Sequence, residues 1–148
     1  MNARRLEGVG VIVTRPRSAG EPLVAALSRE GARAWLFPAL AIEDVEPDAA
    51  LRDLLMGIAR FDLAIFVSAN AVEKGLAATR RFASWPGAMR TAAIGEATAE
   101  ALRNAGVQGS ISPPERHDSE GLLALAQLRD VRGQNIIVFR GEGGRERL

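Results

Sequence analysis

Ser68, Thr98 and Arg15 are the residues of this 148-residue chain whose type and setting suit them best to binding chemistry. Each lies at or shortly after the end of a short, largely apolar run. Ser68 ends Ile65-Phe66-Val67-Ser68 just before Asn70, Thr98 lies in Gly95-Glu96-Ala97-Thr98 after Thr91-Ala92-Ala93-Ile94, and Arg15 follows Val11-Ile12-Val13-Thr14. If those runs are parallel strands, all three residues fall where open sheets bind ligands, beside loop N–H groups and helix N-termini that carry partial positive charge. That chemistry suits a carboxylate ligand. The same positions also suit plainer roles: Ser68 and Thr98 as caps or linings of first helical turns, Arg15 as a solvated charge.

The composition removes most other machinery. With no Cys there is no disulfide, no thiolate nucleophile and no Cys-ligated metal, and with one His, His117, the common metal sites and the Ser-His-Asp triad lack imidazoles. His117 sits in a polar loop with Arg116 and Asp118 and reads as a surface residue. A formal net charge of +1 provides no overall field to collect nucleic acid, and no basic face is visible along the chain. Lys74 is the sole lysine among 19 basic residues. Apolar runs such as Leu63 to Val67 are far shorter than the roughly 18 to 20 residues of a membrane span. Arg4 and Arg5 are followed by no apolar stretch of signal-peptide length, so the expected compartment is the cytoplasm.

The elements that must position these residues follow from periodicity. Val9 to Thr14 is β-branched and stops at Arg15-Pro16, which reads as a buried strand; a helix follows with Pro22 in its first turn and Gly31 as its left-handed stop. Ala32 to Phe37 is a second strand. Leu51, Leu54, Leu55 and Ile58 recur at helical spacing behind Asp48 as N-cap. Leu63 to Val67 is apolar at every position, the mark of a parallel strand covered on both faces. A helix over Ala71 to Ala77, a strand over Thr91 to Ile94, a helix over Glu96 to Ala105 and a weak strand near Gln108 to Ile111 come next. Helix Ser119 to Arg129, with Ser119 as its cap, and strand Asn135 to Phe139 complete the alternation. Alternation of this kind is α/β with parallel sheet. Pro38 to Pro47 lacks any helical period and reads as a linker.

The glycine-rich segments do not complete a nucleotide motif. Gly141-x-Gly143 follows a strand, but Glu146 stands where the dinucleotide fingerprint needs Gly, and there is no Gly-Lys-Ser/Thr. Glu142 and Arg145 could pair or hold an anion, and Arg145 to Leu148 reads as the opening turn of a helix.

Taken in order, VIVTRP (11–16), FPALAIED (37–44), FDLAIFVSANAV (61–72), AIGEATAEALRNAG (93–106), SEGLLAL (119–125) and IIVFRGEGGRE (136–146) resemble the uroporphyrinogen-III synthase family over essentially the whole chain. The resemblance implies two flavodoxin-like α/β domains, each a parallel sheet flanked by helices. Residues 1–41 would be the first βαβ unit of domain one, whose remainder is absent from this chain. Residues 42–148 would be domain two without its last helix and strand. Were these residues the entire polypeptide, the open edge of the first unit would expose apolar surface and favour strand exchange or poor solubility.

The family reaction closes hydroxymethylbilane to uroporphyrinogen III, losing water and inverting ring D, in the biosynthesis of haem, sirohaem, cobalamin or chlorophyll. It uses no metal and no organic cofactor. Carried over by motif, Thr98 is the catalytic candidate, and Arg15, Ser68, Ala69, Ala97, Arg140 and Gly141 are the substrate-binding candidates, Ala69 and Ala97 through main-chain N–H groups. The expected partner is the small-molecule substrate alone, with no nucleic acid or membrane, and the full-length enzyme is expected to be a monomer. A non-catalytic ligand-binding or regulatory domain on the same fold is the alternative, and a receiver or nucleotide-binding domain a more distant one.

Overall fold

The computed structural model describes residues 5–141. The chain divides into two compact units, Met1–Val45 and Glu46–Leu148. No helix among the described residues is long and apolar enough to cross a membrane.

The first unit is β1 (Gly10–Val13), α1 (Arg17–Arg29) and β2 (Arg33–Leu36). β1 and β2 pair in parallel, Ile12 opposite Trp35 and Val13 opposite Leu36. α1 begins at Arg17, directly after Pro16, so Pro22 stands inside the helix and not in its first turn. Gly20 is the close-packing point of α1: a Cβ there would collide with Leu36 and approach Val13 Cγ1 at 3.5 Å. The helix ends at Gly31 (φ 94°), where Ala32 N–H donates to Leu27 C=O at 3.1 Å, a left-handed stop that favours glycine.

β1 was expected to be buried, and only Val13 is. One face of the pair lies under α1, whereas Ile12 and Trp35 on the other remain 66% and 51% exposed. Phe37, Leu40 and Val45 are also exposed. With period-2 alternation and one covering helix, a two-stranded sheet can bury only every second residue.

The second unit contains α2 (Ala49–Met56), β3 (Leu63–Phe66), α3 (Ala69–Arg80), β4 (Arg90–Ala93), α4 (Glu96–Asn104), α5 (Ser119–Leu123) and β5 (Ile136–Phe139). Asp48 caps α2 by accepting from Leu51 N–H at 2.8 Å. The sheet is parallel, in order β4-β3-β5, and Ile111 extends it beyond β4 by a single bridge to Ala92. The strand expected over Gln108 to Ile111 is reduced to that bridge, because Gly109 turns the chain at φ 72° and Pro113 soon removes a donor.

β3 is buried at all four positions, as its unbroken apolarity requires, and its two faces pack against different layers. Ala64 and Phe66 join Val72 and Leu76 of α3 and Leu102 of α4 in one cluster. Leu63 and Ile65 join Leu122, Leu128 and Ala92 in a second. The long helix expected from Ser119 to Arg129 is broken. After α5 the chain extends at Leu125 (ψ 136°) and re-enters a 3-10 turn at Ala126–Leu128. Leu122, Leu125 and Leu128 are spaced by three, which suits the tighter turn and aims all three at the sheet. Asp118, not Ser119, is the N-cap of α5: its carboxylate accepts from Gly121 N–H at 2.8 Å, while Ser119 is buried.

Candidate functional site

Register decides where the chemistry-bearing residues stand. Phe66 pairs with Ala93 on one side and with Phe139 on the other, so β4, β3 and β5 end level at their carboxyl ends. Ile94 N–H donates to Phe66 C=O at 3.1 Å and Val67 N–H to Phe139 C=O at 3.3 Å, which carries the alignment one residue further. The second residue beyond each strand is then Gly95, Ser68 and Gly141, three neighbours along one edge.

Ser68 is the N-cap of α3 in an extended conformation, its hydroxyl accepting from Ala71 N–H at 3.1 Å. Ala69 is the exposed first residue of that helix. α4 opens differently. Its N-cap is Gly95, with no side-chain cap, Ala97 is exposed in the first turn, and Thr98 is 4% exposed. Glu96 at the head of α4 is drawn to Arg103 at 2.7 Å. Arg140 and Gly141 are exposed just past β5. The second unit therefore gathers Ser68, Ala69, Ala97, Thr98, Arg140 and Gly141 on the carboxyl edge of one sheet. Arg15 belongs to the first unit, where it stands exposed two residues after β1. Glu142 and Arg145 lie outside the described residues.

One side chain on this edge did not stand out in the sequence. His117 packs over Gly95: a Cβ at Gly95 would fall 2.8 Å from His117 Cβ and 3.0 Å from its Cγ. The contact spans 22 positions, and six residues before His117 the chain is tied to β4 by the bridge between Ile111 and Ala92. The bond between Arg116 Nε and Asp118 Oδ2, 2.6 Å long, steadies that loop and holds the exposed guanidinium further toward its charged form.

A cavity of about 440 Å³ opens at the opposite, amino end of the sheet, beside Phe61, Asp62, Pro86, Met89, Arg90 and Gln134. Its polar groups serve the fold: Arg90 donates to Gln134 at 2.6 Å and Asp62 accepts from Asn135 N–H at 2.8 Å. Among the described residues no cluster of three or more His, Asp and Glu is placed to hold a metal ion.

Comparison with known proteins agrees with the ordered blocks. The family model described as uroporphyrinogen-III synthase HemD matches residues 21–148. The uroporphyrinogen-III synthase of Salmonella typhimurium is 36% identical over 141 residues, covering 95% of this chain and 57% of that protein. That of Escherichia coli is 34% identical over 139 residues, covering 93% and 56%. Among solved structures, Thermus thermophilus uroporphyrinogen III synthase aligns over 89% of this chain and 61% of its own, with 22% identity and a TM-score of 0.48. The chain thus spans little more than half the length of these curated relatives. With a family model matched from residue 21 to residue 148, the chain belongs to the uroporphyrinogen-III synthase family.

Proposed function

We propose that this chain serves the cyclisation of hydroxymethylbilane to uroporphyrinogen III, with loss of water and inversion of ring D, in tetrapyrrole biosynthesis. The observation that carries the reading is the level carboxyl edge of β4, β3 and β5, beyond which follow Ser68, the first turn of α4 with no side-chain cap, and Arg140. Relatives named uroporphyrinogen-III synthase support it.

The linear substrate carries eight carboxylates, and an edge of N–H donors and a guanidinium is chemically matched to them. Unassisted closure gives the type I isomer. The protein must therefore hold the chain so that ring inversion wins, and positioning with electrostatic stabilisation is the source of rate. In this reading Ser68 and the N–H groups of Ala69 and Ala97 bind carboxylates, and Arg140 and Gly141 extend the same edge. Thr98 orients the departing hydroxyl, and Arg15 is a further substrate-binding candidate. An aliphatic hydroxyl is a poor acid, so Thr98 acts by orientation and not by proton donation. No metal or organic cofactor enters. The proposal extends to a cytoplasmic monomer.

The test is chromatographic: fresh hydroxymethylbilane is given to the protein and the uroporphyrin isomers are resolved. Type III in excess of the spontaneous type I product is expected. Type I alone from folded protein would sink the synthase reading in favour of a ligand-binding domain on the same fold.

A further inference from the structure

We propose that His117 is a substrate-contacting residue of the carboxyl-edge site, its imidazole donating a hydrogen bond to a carboxylate of the tetrapyrrole; the proposal rests on the synthase reading above. Three features of the loop carry it. First, Gly95, the N-cap of α4, has no side chain, and the imidazole-bearing Cβ occupies the space one would fill, since a Cβ at Gly95 would stand 2.8 Å from that of His117. His117 is thereby brought to the turn that carries Ala97 and Thr98.

Second, the backbone on both sides of His117 is fixed by contacts that do not involve the imidazole. Asp118 N–H donates to Arg116 C=O at 3.0 Å, the two side chains meet at 2.6 Å, and Asp118 caps α5 through Gly121 N–H at 2.8 Å. Gly121 in turn lies against the Arg116 carbonyl so closely that any side chain there would collide with it. A backbone held in this way sets the Cα–Cβ direction of His117 before a ligand arrives, which lowers the ordering cost of binding.

Third, three of the nearby acids lie beside a guanidinium. Glu96 meets Arg103 at 2.7 Å, Asp118 meets Arg116 at 2.6 Å, and Glu120 lies 3.6 Å from Arg116. Asp118 and Glu120 share the one guanidinium of Arg116 and Glu96 has that of Arg103, which lessens the repulsion these three carboxylates exert on an anionic ligand at the exposed imidazole. Glu115 stands exposed two residues before His117.

The experiment compares the wild type with His117→Ala and His117→Asn, the second of which keeps an N–H donor. KM and kcat for hydroxymethylbilane are measured together with the Kd for uroporphyrin III, an octacarboxylate, by fluorescence, and each melting temperature is recorded. His117→Ala is expected to raise KM and Kd about tenfold, one charge-assisted hydrogen bond's worth, with kcat within about twofold. His117→Asn is expected to recover most of the loss. Unchanged KM and Kd in His117→Ala would overturn the proposal, and so would a loss in both variants accompanied by a fall in melting temperature. Failure of the wild type to form type III would end the synthase reading alone. The uroporphyrin Kd would still decide His117: weaker binding by the Ala variant supports it, and equal binding overturns it.

Discussion

Phe139 leaves no room for a side chain at Gly75: a Cβ there would stand 2.5 Å from Phe139 Cδ1. The ring cannot easily retreat, because it is stacked on Phe66 with centroids 4.6 Å apart and 4° between planes, and Trp85 tilts against it at 6.1 Å. Two opposing effects meet at this position. Ala favours a helix interior over Gly by about 1 kcal/mol, while forcing a methyl group into a packed core costs about 1 to 3 kcal/mol. Gly75→Ala is expected to lower stability by about 1 kcal/mol in urea unfolding. A more stable variant would mean that Phe139 is free to move.

Ser68 has a capping role in the structure and a binding role in the proposal, and charge separates them. Asp caps as well as Ser, so Ser68→Asp should unfold at nearly the wild-type urea concentration. Its carboxylate would repel an anionic substrate, and the KM for hydroxymethylbilane should rise at least tenfold. Ser68→Ala should do the reverse, losing about 1 kcal/mol of stability with a smaller effect on KM. Equal KM values in all three proteins would leave Ser68 as a cap only.

Thr98 is 96% buried, since 4% of it is exposed, so truncation would confuse packing with chemistry. Thr98→Val keeps the shape and removes the hydroxyl. Turnover is expected to fall at least tenfold while Thr98→Ser retains most of it, both variants melting within a few degrees of the wild type. Full turnover by the Val variant would remove Thr98 from the site.

Asp118 tests whether a cap or an ion pair steadies the loop that presents His117. Arg116 is 65% exposed on its side chain, and exposed pairs contribute little. Asp118→Asn, which keeps a capping oxygen, should therefore be nearly neutral in urea unfolding, whereas Asp118→Ala should lose about 1 kcal/mol. Equal losses in the two would assign the stability to the ion pair instead.

What was legible in the sequence was set by local rules. Four consecutive apolar residues from Leu63 to Phe66 demand cover on both faces, and the two clusters provide it. Asp48 and Gly31 act as their types dictate. Tertiary packing overrode local pattern elsewhere. Asp118 and Ser119 are adjacent and both suit a cap, so only the path of the preceding loop could choose between them. The leucines at 122, 125 and 128 are drawn to the sheet at the expense of a continuous helix. On the candidate site, alternation of strand and helix was enough to put Ser68 and Thr98 at strand ends. The approach of His117 to Gly95 was not legible, because a contact across 22 residues has no signature in local spacing.

The central position of β3 also bears on how this unit is made. Its pairing with β5 begins where Asn135 N–H meets Asp62, 73 residues away in the chain. A ribosome emitting the chain releases β3 long before its second neighbour exists, so one edge of the most deeply buried strand waits unpaired through the synthesis of α3, β4, α4 and α5. Loop-closure entropy makes such long-range pairing slow. The same residues that give the finished sheet its centre therefore make the nascent chain dependent on shelter until β5 arrives.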